Sequence, residues 1–213
     1  MKKLFLLTAI LFISLFTSNA QISLGAASGG TLGGDTNRNS TLAPGYFGEL
    51  SVRLAFKNRL YLSFVPRFES SSYQSKASSP YEFYYYTNAM EFPFHFGRIS
   101  RLSDKMDIYY DLGPALHWTM TNIYHGSYGS LNGSVQTATK TNPITSGYMP
   151  RFNMDLGATV GLNIINHINV FAGFDFGVLN EQTPAYLENF QTAPTHPFFI
   201  RLGVGYYLTF RKR

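Results

Sequence analysis

Side chains of an extended strand alternate between its two faces, and from Phe198 to Phe210 that alternation runs unbroken for thirteen residues. Phe198, Ile200, Leu202, Val204, Tyr206, Leu208 and Phe210 share one face. Phe199, Arg201, Gly203, Gly205, Tyr207 and Thr209 share the other. The first face is apolar throughout, whereas the second carries a charge, two glycines and hydroxyl groups. A strand of this length suits a crossing of a bilayer, which takes about 9–11 tilted residues.

The N-terminus reads as an address. Lys2 and Lys3 precede an apolar run from Leu4 to Phe16, and Ser18-Asn19-Ala20 supplies small residues before Gln21. This is the pattern of a secretory signal peptide, with an apolar run too short for the about 20 residues of a membrane helix. The expected domains are a signal peptide at 1–20, cleaved near Ala20, and one β-domain at 21–213. The chain has no Cys, so neither a disulfide framework nor an N-terminal lipid-bearing cysteine is available. Charged residues make up 14% and aromatics 16%, against about 25% charged in ordinary soluble domains. No apolar run of 18 residues follows Ala20, so membrane helices are not expected. The formal charge of +5 includes Lys2 and Lys3. The remaining +3 is no footprint for nucleic acid, which a secreted chain would not meet.

A two-residue period marks eight strands, near 21–28, 46–57, 59–69, 83–97, 105–120, 149–163, 167–179 and 198–210. The joins at 57–58, 98–104 and 164–166 are short. Those at 29–45, 70–82, 121–148 and 180–196 are long and rich in Gly, Ser, Thr, Asn and Pro. Short turns at one end and long loops at the other, with an even strand count, describe an up-and-down transmembrane barrel. The expected fold is therefore all-β, an eight-stranded antiparallel barrel in the cell outer membrane with both termini periplasmic.

In hydrocarbon the apolar faces must meet lipid, which sends the polar faces inward. Glu49, Arg53, Arg67, Glu69, Glu91, His95, Asp107, Asp111, His117, Arg151, Asp155, Asp175 and Arg201 would then fill the lumen. Eight strands enclose a space just wide enough for side chains, and mixed signs allow buried charges to pair. Three readings stand for this network: a structural plug, a narrow proton or ion path, and a gate that responds to pH at His95 or His117. Glycines 157, 161, 173, 177, 203 and 205 fall inward by parity and leave room for large neighbours or line a pore. Pro93 and Pro114 cannot donate to a sheet ladder, so each should bring a bulge or a missing hydrogen bond.

Several short motifs resemble the outer-membrane β-barrel domain family, small porin-like proteins of Gram-negative envelopes with OmpA/OmpX-type eight-stranded barrels. Met90-Glu91-Phe92-Pro93 resembles its hydrophobic-Glu-hydrophobic-Pro strand, and Tyr109-x-x-x-Gly113-Pro114 its Tyr-x-x-x-Gly-Pro element. The run from Arg201 to Leu208 is similar to its closing strand, although Arg211-Lys212-Arg213 follows the terminal aromatic. The resemblance spans essentially the whole chain after Ala20. It implies an assembly strand with Gly203, Tyr206, Leu208 and Phe210 engaging the barrel-assembly machinery, outer-membrane lipids as surroundings, and no assigned catalysis.

Other signals are slight. Tyr84, Tyr86 and Trp118 fit an interfacial aromatic girdle, and the Tyr81–Tyr86 cluster is alternatively a platform for glycan or protein. Loops 29–45, 121–148 and 180–196 are the places for an extracellular protein or glycan partner. Asp35-Thr36-Asn37-Arg38-Asn39 opens like a calcium loop but has Ser40 and Tyr46 where Gly and Glu are needed. Arg211-Lys212-Arg213 is either a solvated tail or a contact for anionic headgroups. Neither a metal site nor a cofactor is recognisable from spacing, and no histidine sits where a lipid hydrolase would place one. An interaction barrel, adhesin-like through its loops, is thus expected ahead of a narrow porin. A lipid-modifying enzyme and a soluble lipocalin-like barrel with reversed faces complete the alternatives.

Overall fold

The computed structural model describes residues 21–36, 40–56, 58–76, 82–129, 135–137, 151–165, 167–179 and 196–210. The expected signal peptide at 1–20 and the basic tail at 211–213 lie outside the described residues. So do most of 130–150 and 180–195.

Among the described residues ten strands form: β1 (Gln21–Asp35), β2 (Ser40–Ala55), β3 (Leu60–Phe64), β4 (Arg67–Lys76), β5 (Glu82–Arg101), β6 (Met106–Gly129), β7 (Val135–Thr137), β8 (Phe152–Ile164), β9 (Ile168–Gly177) and β10 (Pro197–Phe210). β3 and β4 both lie between β2 and β5, as two halves of one stave, and β7 pairs only with the last residues of β6. The sheet is thus a ring of eight antiparallel staves, closed where β10 pairs with β1 from Ile22↔Phe210 to Asp35↔Pro197. Closure leaves no edge, which is what hydrocarbon demands of a sheet. A hydrogen bond between Ser23 Oγ and Thr209 Oγ1 at 3.1 Å ties the seam at its turn end.

The staves are longer than the sequence pattern suggests. β1 continues through Gly29, Gly30, Gly33 and Gly34, and β2 begins at Ser40, so the expected loop at 29–45 is mostly strand. Glycine reads as loop punctuation, but here it lets backbones close in: a Cβ on Gly29 would lie 2.0 Å from the Leu202 carbonyl oxygen. Likewise β4 and β5 take up most of 70–82, and β6 runs to Gly129. Asp35 ends β1 opposite Pro197 and belongs to a ladder; the rest of the calcium-like motif, at 37–39, lies outside the described residues. The tight joins are as short as expected. Arg59 and Ile165 turn the chain with φ of 65° and 54°, a left-handed geometry costly for a side chain other than glycine.

The prolines interrupt pairing without shifting parity. Val65 and Pro66 separate β3 from β4, yet the Val65 N–H still donates to the Pro93 carbonyl at 3.1 Å and the Leu50 N–H to the Pro66 carbonyl at 3.0 Å. The β5–β6 ladder stops after Pro93↔Ala115 and resumes at Phe96↔Leu112, skipping Phe94 and His95 opposite Pro114 and Gly113. Tyr61, Ser63, Arg67, Glu69 and Ser71 therefore all stay buried across the break.

The barrel is apolar outside and polar inside. Leu50, Phe94, Phe96, Leu112, Leu116, Phe152, Leu156, Val160, Leu202 and Val204 are exposed on its outer wall. Among the described residues, the first charge on that wall is Arg98, at the turn end of β5. At the loop end Trp118 stacks on Phe152 (centroids 6.3 Å apart), with Tyr46 and Tyr86 exposed nearby in the same tier; Tyr110 and Tyr206 are exposed at the turn end. Of the expected girdle residues, Tyr86 and Trp118 are exposed on the outer wall, while the Tyr84 side chain lies outside the described residues. If this wall faces lipid, Val160→Arg should cost about 2–4 kcal/mol. Urea titration of the bilayer-refolded barrel reads the shift, and an unchanged midpoint would contradict the assignment.

Candidate functional site

Parity delivers eleven of the thirteen expected lumen charges to the interior: Glu49, Arg53, Arg67, Glu69, Glu91, His95, Asp111, His117, Asp155, Asp175 and Arg201 are all buried. Two expectations are corrected. Arg151 is exposed, because β8 begins only at Phe152 and Arg151 lies beyond its end pair with Trp118. Asp107 is half-buried one residue from the end of β6, at the rim and outside the network.

The interior divides into two layers. In the layer toward the short turns, the Arg53 guanidinium lies 4.4 Å from the Tyr61 ring centre, 4.5 Å from Tyr109 and 4.8 Å from Tyr207. Three aromatic faces thus surround one desolvated cation, an arrangement in which each cation–π contact reaches about 2 kcal/mol. The Tyr61 hydroxyl donates to Asp111 Oδ2 at 2.6 Å, and His95 Nδ1 lies 2.9 Å from Asp111 Oδ1. Tyr109 donates to Asn169 Oδ1 at 3.0 Å. Large side chains fit because glycines face them: a Cβ on Gly161 would lie 2.5 Å from the Tyr109 ring.

The layer toward the loops is ionic. Arg67 contacts four carboxylates, hydrogen-bonding Glu91 and Asp175 and lying 3.8 Å from both Glu49 and Glu69. Arg201 grips Asp175 with two nitrogens, one of them at 3.0 Å from Oδ1, and lies 3.9 Å from Glu49. Asp175, on β9 opposite β4 in the ring, therefore joins a guanidinium from β4 to one from the neighbouring stave β10. Gly173 makes space for this, since a Cβ there would lie 2.7 Å from Arg201 Nη2. His117 Nδ1 stands 3.1 Å from Asp155 Oδ2 and 3.2 Å from Glu91 Oε1. A Phe47–Phe171 pair, centroids 5.9 Å apart, packs below Arg201.

Between the layers a cavity of about 20 Å³ remains, lined by Glu49, Arg53, Arg67, His95, Asp111 and Arg201 among others. That is room for about one water molecule.

The remaining expected residues are placed as follows. Gly203 faces inward under the Phe171 ring, whereas Tyr206, Leu208 and Phe210 face outward and are half exposed. Sequence spacing did not reveal that Glu91, His117 and Asp155 converge, with ligand-capable atoms all within 4.8 Å. They come from β5, β6 and β8, so only the ladder register Glu91↔His117 and Ala115↔Asp155 brings them together. Arg67→Met would strand buried carboxylates, with an expected loss of about 3–5 kcal/mol. Tyr61→Phe removes one hydrogen bond to Asp111, an expected loss of about 1–3 kcal/mol. Urea unfolding of the two variants in bilayers checks both, and a larger loss for Tyr61→Phe would reverse the ranking of the layers.

No family model matches the sequence, and no curated protein matches it. Solved structures resemble the fold at low identity. The outer membrane protein OprG from Pseudomonas aeruginosa is 9% identical with a TM-score of 0.48, covering 90% of this chain and 97% of its own. Ail, the attachment invasion locus protein of Yersinia pestis, is 13% identical with a TM-score of 0.42, covering 88% and 99%. The N-terminal β-barrel domain of Pseudomonas aeruginosa OprF is 11% identical with a TM-score of 0.38, covering 89% and 99%. The chain's own ring of eight antiparallel staves, apolar without and charged within, has the architecture of a transmembrane β-barrel.

Proposed function

We propose that this chain is an integral outer-membrane barrel with a closed lumen, a structural and interaction protein that works through the segments at its loop end. The observation that carries this reading is the link from Arg67 through Asp175 to Arg201 across the lumen, with Glu49 near both guanidiniums. Ions or solutes would have to break charge-assisted hydrogen bonds in a water-poor interior, which are the strong ones. A scaffold closed in this way leaves its exposed ends to do the binding. The segments 121–148 and 180–196 are the proposed contacts for an extracellular protein or glycan. His95 and His117 are turned inward and held by carboxylates, which supports a non-enzymatic reading. The charged cavity between the layers favours one second reading, a narrow porin-like passage.

The outward address rests on the leader-like 1–20 segment together with the apolar wall. Because the chain has no Cys, single cysteines report topology without background. Ser130→Cys is expected to react with an impermeant maleimide on intact cells, and Phe94→Cys is expected to be shielded by lipid. Replacing 130–149 by a short Gly-Ser turn should leave a folded, heat-modifiable barrel while abolishing adhesion of expressing cells to immobilised glycoprotein. Proteoliposomes should swell in arabinose no faster than protein-free vesicles. Rapid swelling, or adhesion unaffected by the loop replacement, would overturn the reading.

A further inference from the structure

We propose that Glu91, His117 and Asp155 form a binding site for a divalent first-row transition-metal ion inside the loop-end half of the barrel. The three side chains project from neighbouring staves β5, β6 and β8. Their ligand atoms lie within 4.8 Å of one another, with His117 Nδ1 at 3.2 Å from Glu91 Oε1 and 3.1 Å from Asp155 Oδ2. An ion about 2.1 Å from each ligand sets neighbouring ligands about 3.0–3.4 Å apart, in octahedral or tetrahedral geometry. The two edges at His117 Nδ1 fit that spacing, and the Glu91–Asp155 edge lies within 4.8 Å.

Hydrogen bonding alone leaves the cluster incomplete. A single Nδ1–H can serve one carboxylate, and it serves Asp155 Oδ2. Glu91 Oε1, although 3.2 Å from the same nitrogen, has no hydrogen-bond partner, and neither has Asp155 Oδ1. Next to them Glu69, 1% exposed, has no hydrogen bond at either oxygen. Buried polar atoms are rarely left so. A cation replacing the shared proton would satisfy Glu91 and Asp155 together.

Charge points the same way. Glu49, Glu69, Glu91, Asp155 and Asp175 face Arg67, Arg201 and His117. With all five carboxylates ionised, two negative charges stay in excess even with His117 charged, and a divalent ion beside a neutral imidazole reduces the excess to one. Arg67, hydrogen-bonded to Glu91 Oε2, holds that carboxylate with Oε1 toward His117, the outer support metal ligands usually have. Imidazole with carboxylates selects zinc, iron or manganese over magnesium and calcium, which favour oxygen alone. The His117 side chain keeps 10% exposure, and Asp155 sits three residues from the loop-end start of β8; ions would enter from that mouth.

The test is titration of the metal-stripped, refolded barrel with Zn2+, Mn2+ and Mg2+, with bound ion counted after equilibrium dialysis. One Zn2+ per barrel, not displaced by a hundredfold excess of Mg2+, is expected. His117→Gln and the isosteric Asp155→Asn should each weaken binding at least tenfold, and both should remain heat-modifiable on gels. His167→Gln and His196→Gln, in the rims, should leave it unchanged. Co2+ bound to the wild type should give visible absorption bands that His117→Gln abolishes. Equal Zn2+ binding by the wild type and both cluster variants, or loss confined to the rim variants, would overturn the proposal.

Discussion

A backbone N–H or C=O left unpaired in hydrocarbon costs several kcal/mol, and that constraint organises this chain. It forces the sheet to close, which β1 and β10 do along nearly the whole length of both strands. Closure combined with the two-residue period then sorts every side chain to lipid or to lumen. The outer wall is apolar over the middle of the eight staves, so the charges carried there point inward. The lumen is a consequence of the wall.

What the lumen does with those charges is less constrained by the fold. Two arginines from different staves share Asp175, and a third is enclosed by three tyrosines. These two solutions to one problem, an ionic bridge and an aromatic cage, stack along the axis. Each depends on a glycine of the neighbouring strand, with Gly173 paired to Arg201 and Gly161 to Tyr109. Side-chain volume and charge are therefore balanced across the ring instead of along any one strand. Isolated removal of Arg67 strands several carboxylates at once, so the ionic layer is the more sensitive to substitution.

Alternation is local, so the sequence made the strands and their two faces legible. Leu202 and Arg201 declare their directions without any knowledge of neighbours. The same rule failed where the ladder ends: Arg151 obeys the parity but lies beyond the first pair of β8, and Asp107 sits at the rim. Gly29 to Gly34 read as a loop because glycine has weak strand preference, whereas close approach of β10 is what puts them in β1. Pro66, which divides one stave in two, left no mark in the alternation because the parity resumes unchanged. The meeting of Glu91, His117 and Asp155 was invisible for a different reason. It is set by the register of three strands, and register is a property of pairs.

The proposed closure of the lumen rests on its own charged side chains. Single-channel recording of the refolded chain from residue 21 onward in a planar bilayer tests it most directly. A closed lumen predicts no conductance steps above background. Reproducible steps whose size changes with Arg53→Ala or Asp111→Asn would contradict the account and make the lumen a working pore.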